Sequence, residues 1–488
     1  MLMDDHGDMP IVNALKSINT YTKWCTPSIL PEQEKIINPY KTDISVSAHF
    51  LGSYVDNTGV FKEAQERAAK VYGADRTVFS VNGTTGSNFI VMRMLTLEHD
   101  NPQILVSRNI HHSILHAAEW LGVKFRFIKS FYDSQFETLV PPRPEDVLET
   151  LNNYPESDAV IISSPSYSGL AARIDEIVKV VKNFDAGIKV IVDEAWGSHF
   201  HFSDELPKSA MQSGADIAVQ STHKQGGSLQ QTGMIHWKEK YVNSELMYEA
   251  FREYATTSPS YHLLASLDAV RECMEKRGRE IVESLIKKAD YFKDLIGKKL
   301  IPPLKIMDDS LEFDLVRDYI SGYDRTKTNI ALTKVAESGF EISQKLCKNH
   351  HIIVEKSGLN TVLFVTTHSL KYGDVEKTVK ALASTLKDAH KVQKKELIPN
   401  PFKHLETKPV IEPHTARRVA QTIGRVVPIE DSIGKIAAEH IEVYPPGIPV
   451  ILEGFRITEN NVKYLKITHS LGGHISARDP ELKTIYVL

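Results

Sequence analysis

Cysteine is scarce in this sequence. Only Cys25, Cys273 and Cys347 occur in 488 residues, and they lie far apart without the spacing of a metal-binding motif. A disulfide framework is therefore not expected, and no metal site is predicted. Unpaired cysteines are typical of a reducing compartment, so we expect a cytoplasmic protein.

Long apolar runs and an excess of one charge are also missing. No apolar run approaches the length that spans a bilayer, and the acidic residues 1–8 contain no signal-type apolar region. The formal net charge is −4, with 25% charged residues, which gives no reason to expect nucleic acid or a membrane as a partner. A chain of 488 residues is long enough for two or three domains with sizeable cores.

An apolar run that ends on a lysine is the most informative stretch of the chain. Residues 216–224 read DIAVQSTHK, and two glycines follow at Gly226 and Gly227. The run predicts a buried strand, and the glycines predict a turn directly after it. A lysine at the end of a buried strand must be paired or lose its proton, so Lys224 is a candidate Schiff-base nucleophile. The alternative is that Lys224 only extends its side chain to solvent.

A second apolar run ends on a carboxylate. Residues 189–196 read KVIVDEAW and place Asp193 at the end of another predicted strand. A strand-end aspartate beside a strand-end lysine suits pyridoxal phosphate (PLP), because the lysine binds the cofactor covalently and the aspartate keeps the pyridine nitrogen protonated. The alternative is that Asp193 caps the next helix.

A loop rich in glycine and threonine is a candidate phosphate site. Thr84, Thr85 and Gly86 lie between a predicted strand at 77–81 and an apolar helix from Phe89 onward. Free backbone N–H groups, the helix dipole and hydroxyl donors converge at such a point. His111 follows the next strand, so its flat ring can reach the same pocket and stack on a cofactor, although a lone strand-end histidine is more often a locally bonded polar residue.

The order of the elements predicts an α/β fold. Strands alternate with helices up to about residue 240, and each strand ends in polar residues, which favours a mostly parallel central sheet with its ligand at the carboxyl edge. The expected division is an N-terminal arm at 1–45, a large domain at 46–300, a small α/β domain at 301–392 and a C-terminal domain at 393–488. In the small domain we predict strands at 313–316 and 361–366 and amphipathic helices at 330–337 and 375–389.

Together these motifs resemble the PLP-dependent ornithine/lysine/arginine decarboxylases. The shared stretches occur in the family's order and read NGTT at 82–85, NIH at 109–111, DEAW at 193–196, STHK at 221–224, TSP at 257–259 and YPPGIP at 444–449. The resemblance covers roughly residues 45–488, without the N-terminal wing domain of longer members. It implies fold type I, an aspartate-aminotransferase-like core with a C-terminal α+β domain.

The resemblance also implies the role of each matched residue. It assigns the covalent cofactor linkage to Lys224, the pyridine-nitrogen contact to Asp193, and the two faces of the ring to Ala195 and His111. It assigns the phosphate to Thr84, Thr85, Ser221 and His223, with Thr257 or Ser258 reaching in from a partner subunit. A homodimer or larger homo-oligomer, with its sites at the subunit interface, is therefore expected.

The sequence departs from the family pattern near the substrate. After the Pro-Gly turn the family has a glutamate where this chain has Phe455, and Glu453, two residues earlier, is a candidate substrate ligand in its place. The leading hypothesis is decarboxylation of arginine, lysine or ornithine to the amine and CO2. The alternatives are a PLP enzyme with other chemistry, such as an oxygen-dependent oxidase or a biosynthetic lyase, and a non-catalytic relative.

Overall fold

The computed structural model describes ten stretches of the chain, namely residues 20–35, 38–44, 49–299, 304–307, 318–332, 334–387, 389–392, 398–403, 406–445 and 447–488. Residues 1–19, 36–37 and 45 of the expected N-terminal arm and the strand predicted at 313–316 lie outside the described residues. None of the described helices is long and apolar enough to cross a membrane.

The described part of the N-terminal segment packs on residues of the small domain of the same chain. It contains strand β1, Thr22–Trp24, and the short helix α1, Pro39–Thr42. β1 pairs in parallel with residues 352–354. The Trp24 ring is fully buried 4.4 Å from the Phe292 ring, and its Nε1–H donates to Thr378 at 2.8 Å. The prolines predict an irregular arm. The buried Trp24 ring, however, belongs to the core of the small domain and holds residues 22–24 there.

The central part of the chain alternates helices and strands, as predicted. After α1, the described residues up to 240 form five more α-helices, which are α2 (Gly59–Val71), α3 (Gly83–Glu98), α4 (His112–Leu121), α5 (Pro144–Asn153) and α6 (Ile174–Phe184). The strands are β2 (Arg76–Ser80), β3 (Gln103–Ser107), β4 (Lys124–Ile128), β5 (Phe131–Asp133), β6 (Thr138–Val140), β7 (Ala159–Ser163), β8 (Leu170–Ala172), β9 (Lys189–Asp193), β10 (Ile217–Gln220) and β11 (Gly233–Trp237).

Seven of these strands form the central sheet, in the order β2-β11-β10-β9-β7-β3-β4. The neighbours β10–β9, β9–β7, β7–β3 and β3–β4 run parallel, whereas β11 is antiparallel to both of its neighbours. The mostly parallel α/β sheet predicted from the sequence is confirmed. Because β3, β9 and β10 run in the same direction, the residues that follow them meet at one edge.

Two further helices lead from the sheet to the small domain. They are α7, Ser244–Tyr254, and the long α8, Tyr261–Lys299. Met247, Phe251, Leu264 and Leu267 are buried against the same apolar core as the central strands. Farther along α8, Phe292 and Ile296 belong instead to the core of the small domain. The long helix therefore packs on both cores.

The small domain contains a strand where the sequence predicted the start of a helix. Its elements are β12 (Leu304–Ile306), β13 (Ile320–Tyr323), β14 (Lys327–Leu332), α9 (Gly339–His350), β15 (Ile352–Val354), β16 (Lys356–Ser357), β17 (Thr361–Val365) and α10 (Tyr372–Lys387). The helix predicted at 330–337 is absent, because its first residues complete β14 between β12 and β17. All six residues of β14 are buried, so the alternation of an ordinary strand is not visible there.

The C-terminal unit combines short strands with two helices. These are α11 (Pro413–Ile423), β18 (Arg425–Pro428), β19 (Ile441–Val443), β20 (Ile448–Ile451), α12 (Glu459–Ser470), β21 (Ile475–Ser476) and β22 (Thr484–Val487). β19 and β20 pair as a hairpin whose turn contains the Pro-Gly motif. This hairpin brings Tyr444 and Ile448 to the edge of the central sheet. The division of the whole chain into four parts stays a prediction.

Candidate active site

The ends of β3, β9 and β10 surround one cavity. His111 follows β3, Asp193 ends β9, and Lys224 lies in a wide helical turn, Thr222–Gly226, directly after β10. The cavity measures about 230 Å³ and is lined by residues that include Thr26, Gly83, Thr84, Thr85, Asn109, His111, Tyr167, Asp193, Ala195, Trp196, Ser221, His223, Lys224, Glu355 and Tyr444. Most of the residues predicted for the site are therefore close together.

Lys224 extends along an aromatic ring into this cavity. Its Nζ lies 4.2 Å from the centre of the Trp196 ring. Burial lowers the pKa of Lys224 to about 8, although the negative charges of Asp193 and Glu355 act in the opposite direction. A lysine with a pKa near 8 is partly neutral at physiological pH, which is the state that attacks an aldehyde.

Asp193 is almost fully buried beside Lys224. Its side chain is 3% exposed, and its Oδ1 accepts the Ala195 N–H at 3.2 Å. Burial raises the pKa of Asp193, while the charge of Lys224 and hydrogen bonds from Ala195 and Asn88 hold it down. Among the described residues no cation forms an ion pair with Asp193, and a buried carboxylate without one is costly, so this position favours a cationic ligand.

The predicted phosphate loop forms the start of α3. Thr84 Oγ1 lies 2.8 Å from Ser221 Oγ, which joins the loop to the end of β10. Gly83 turns the chain into the helix with a positive φ of 58°, and Gly83, Thr84 and Thr85, at the start of α3, line the cavity. Gly86, also predicted to bind the cofactor, lies farther along α3 against Asn82 and Tyr254, outside the cavity lining.

His111 and His223 complete the predicted set on this side. His111 is the N-cap of α4, and its Nδ1 accepts the backbone N–H of Ser113. Burial lowers the pKa of His111 well below its ordinary value, so the ring is neutral at pH 7. His223 donates from Nδ1 to the Thr232 carbonyl at 2.7 Å, and burial lowers its pKa to about 4.

Several cavity residues were missed by the sequence reasoning. Glu355 follows β15, and its carboxylate accepts the Tyr167 hydroxyl at 2.6 Å and the Thr26 backbone N–H at 2.8 Å. Trp196 lies in the predicted strand-end stretch 193–196, but its contact with Lys224 was not predicted. Glu355, Tyr167 and Thr26 come from three separate parts of the chain, and no local pattern identifies them.

Three predicted residues lie away from this cavity within the chain. Thr257 and Ser258 are exposed in the loop between α7 and α8. Glu453 is buried in the C-terminal unit, where its carboxylate lies 3.1 Å from the Arg417 guanidinium and 3.7 Å from His440. The partner-subunit role of Thr257 or Ser258 and the substrate role of Glu453 stay predictions.

Phe455, which stands where the family has a glutamate, lies outside the lining of this cavity within the chain. Phe455 is 3% exposed, and its ring packs 5.7 Å from Phe127 and 6.1 Å from Phe125. Both of these partners belong to β4, on the far edge of the central sheet from β10. The departure from the family pattern therefore changes an apolar contact between the large domain and the C-terminal unit.

One group of described side chains has the composition of a metal site. Glu119, His440 and Glu453 place one ligand atom each within 4.8 Å of one another. However, His440 Nδ1 accepts the Glu453 backbone N–H, which leaves the proton on Nε2, the atom that faces Glu119. Arg417 also contacts Glu119 at 2.7 Å. The arrangement is therefore that of a hydrogen-bonded cluster centred on the Glu119–Arg417 ion pair.

The fold and this cavity define a class of enzyme. A mostly parallel sheet whose carboxyl edge joins a lysine, a buried aspartate and a helix N-terminus is the architecture of a fold-type I PLP enzyme. The family model for the Orn/Lys/Arg decarboxylase major domain matches residues 37–373, and the model for its C-terminal domain matches residues 395–486. The chain belongs to the Orn/Lys/Arg decarboxylase family.

Individual relatives agree with this assignment. The arginine decarboxylase of Bacillus subtilis is 32% identical over 430 residues, which is 88% of this chain and 85% of that protein. The arginine decarboxylase of Halalkalibacterium halodurans is 34% identical over the same shares. Among solved structures, the Francisella novicida lysine decarboxylase superposes with a TM-score of 0.78 at 23% identity, covering 92% of this chain and 74% of that chain. The fold predicted from the sequence is thereby confirmed.

Proposed function

We propose that this protein decarboxylates a basic L-amino acid, L-arginine in the first place, with PLP bound covalently to Lys224. The proposal rests above all on the meeting of Lys224, Asp193 and Glu355 in one cavity. Arginine is preferred because the relatives that are at least 32% identical and cover most of the chain are arginine decarboxylases.

The residues of the cavity fit PLP in charge and in shape. The Asp193 carboxylate offers a buried negative charge for a protonated pyridine nitrogen. The N-terminus of α3, with Thr84 and Ser221, offers N–H and hydroxyl donors for a phosphate. Lys224 lines the same cavity and would bind the cofactor covalently through its amine. Bound there, PLP supplies an electron sink for the carbanion left when CO2 departs.

The protein's own groups support this chemistry in different ways. With the cofactor bound, the charge of Asp193 would keep a proton on the ring nitrogen in a poorly solvated site. His111, as a neutral ring, would stack on the cofactor without adding a competing positive charge. Ala195 is small and buried in the cavity lining, where it would leave room for the cofactor.

Glu355 is the group best suited to the distal cation of the substrate. Glu355 and Asp193 are the carboxylates that line the cavity. Burial is the main cause that raises the pKa of the Tyr167 hydroxyl, and the charge of Glu355 raises it further, so the phenol stays neutral. A guanidinium or ammonium placed there forms a charge-assisted hydrogen bond with the carboxylate. The α-carboxylate of the substrate is then kept at the opposite end, near the cofactor.

The alternative of a PLP enzyme with other chemistry is motivated by departures from the family pattern near the substrate. One of these is Phe455, which packs on β4 outside the lining of the cavity within the chain. An oxidase or a non-catalytic relative has no specific observation in its favour.

We also propose a homodimer in which the exposed loop with Thr257 and Ser258 reaches the other subunit's cavity. The three free cysteines are consistent with a cytoplasmic location, which we propose as well.

Product analysis tests the proposed function directly. The purified protein with PLP is incubated with arginine, lysine or ornithine, in air and under nitrogen, and the products are identified by mass spectrometry. We expect one amine for each CO2, fastest with arginine and at the same rate without oxygen. Formation of ammonia and hydrogen peroxide, strict dependence on oxygen, or no amine from any of the three would contradict the proposal.

A further inference from the structure

Two polar side chains behind the cavity connect His111 with Asp193. Asn88 lies on α3 and is 3% exposed, and Ser113 lies in the first turn of α4 and is 1% exposed. Asn88 Nδ2 is 2.9 Å from Ser113 Oγ, and Ser113 Oγ is 2.8 Å from His111 Nδ1. The motifs of the sequence assign neither residue a role.

The direction of each hydrogen bond follows from the chemistry of the groups. An amide nitrogen can only donate, so Ser113 Oγ accepts from Asn88 and its own O–H is free to donate onward. The neighbouring acceptor is His111 Nδ1. The backbone N–H of Ser113 also donates to that atom, at 3.3 Å. Two donors therefore point at one ring nitrogen, which must carry a lone pair.

We infer that Asn88 and Ser113 are positioning residues that hold His111 as a neutral imidazole with its proton on Nε2. The inference rests on the proposed function for its catalytic meaning, but the position of the proton is a property of the protein itself. Nε2 is the distal ring atom, so the single N–H of His111 is available on the side away from α4 and Ser113.

The same asparagine reaches the other key group of the site. A hydrogen bond from the Asn88 side chain contributes to holding down the pKa of the Asp193 carboxyl. One amide group can thus donate one proton to Ser113 and the other toward Asp193. The residue under the pyridine nitrogen and the residue on the ring face are then oriented by a single buried side chain.

The charges around His111 favour the same state. His112 and His116 on α4 and Lys224 beyond β10 face its ring, and each of them lowers the pKa of His111 when it is positively charged. Burial acts in the same direction and is the larger cause. Loss of the Ser113 hydroxyl removes one donor to Nδ1, so a proton can bind there more readily and the imidazolium forms at a higher pH.

Neutron diffraction of the PLP-bound protein, crystallised in D2O near neutral pH, measures the inferred state directly. We expect deuterium on His111 Nε2, none on Nδ1, and the Ser113 deuteroxyl directed at Nδ1. Deuterium on Nδ1 would overturn the inference whether or not the protein decarboxylates anything. Absence of amine products with the expected neutron result would instead count against the proposed function alone.

A pair of variants separates positioning from a merely structural role. Ser113→Ala should lower kcat about tenfold with KM changed less than twofold, and should move the acid limb of the pH profile upward by about one pH unit. Ser113→Thr, which keeps the hydroxyl, should restore most of kcat and the original profile. Thr150→Ala is the control, because it removes a buried helical hydroxyl that bonds only the Asp146 carbonyl, at 2.7 Å. A Ser113→Ala profile identical to the control's would overturn the inference.

Discussion

Helix α4 has buried charge near both of its ends, and the two groups are organised differently. At its N-terminus, Lys224 and Asp193 share a cavity, where Lys224 contacts the Trp196 ring and Asp193 accepts a backbone N–H. At its C-terminal turn, Glu119 joins Glu453, His440 and Arg417 in a cluster whose charges contact one another at 2.7–3.7 Å. The second group lies beside a larger cavity, of about 490 Å³.

The difference between the two groups indicates which of them binds a ligand. In the cluster, the protein supplies an arginine to two buried carboxylates, so most of the desolvation cost is met internally. In the Lys224 cavity, the charges are held apart by packing and backbone contacts, and the groups that would satisfy them are a phosphate, a pyridinium and a substrate cation. The proposed site is therefore the smaller of the two cavities.

The largest effect is expected from Lys224→Ala. Without the amine no covalent linkage to PLP forms, and kcat should fall at least about 1,000-fold. Borohydride reduction of the wild-type protein should fix the cofactor on the peptide that carries Lys224, and the variant should take up none. Lys327→Met is the control, because Lys327 is a second buried lysine whose Nζ lies 3.9 Å from the Trp196 ring. A cofactor fixed on Lys327 in the wild-type protein would contradict the assignment.

Asp193→Asn should have the next largest effect. The amide keeps the shape of the side chain but removes the charge that stabilises a protonated pyridine nitrogen, which is commonly worth about 3–4 kcal/mol in a poorly solvated site. We expect kcat to fall by about 100-fold to 1,000-fold with the covalent linkage intact. Turnover within about threefold of wild type would show that another group protonates the ring.

These two residues also mark what the sequence can predict. Lys224 and Asp193 each end an apolar run, and parallel strands bring such ends together, so short local patterns were sufficient. Glu355 is different, because its place depends on the parallel pairing of β15 with β1 and on the hydrogen bond from its backbone N–H to the Leu363 carbonyl, at 3.0 Å. The position of Phe455 likewise depends on the contact with β4. Long-range packing of this kind leaves no trace in a single sequence.

Glu355→Gln and Glu453→Gln test which carboxylate binds the substrate. Loss of a partly desolvated charge pair should raise KM for arginine about tenfold in Glu355→Gln, with a smaller change in kcat. Glu453→Gln should leave KM within about twofold, because Glu453 is paired with Arg417 in the other cluster. The reverse result would return the substrate role to Glu453 and require the C-terminal unit of a second subunit at the cavity.

The smallest expected effect is on the stability of the protein and concerns Glu453 in the cluster with Glu119 and Arg417. Burial and the charge of Glu119 raise the pKa of Glu453 from 4.5 to about 8, against the opposing effect of Arg417. The folded protein therefore binds a proton between these pH values that the unfolded chain does not. Stability contributed by this group is present at pH 4.5 and below and is lost as the pH rises through about 8.

Glutamine at position 453 cannot ionise, so the variant should lose this dependence. We expect Glu453→Gln to melt within about 1 °C of the wild type at pH 5 and about 2–4 °C higher at pH 9, as measured by thermal unfolding. Glu430→Gln is the control, because Lys466 lowers the pKa of Glu430 and its removal cannot stabilise the protein at pH 9. A Glu453→Gln variant that is less stable than the wild type at pH 9 would mean that the ionised carboxylate is satisfied by Arg417, and that the cluster is a true ion pair at every pH in this range.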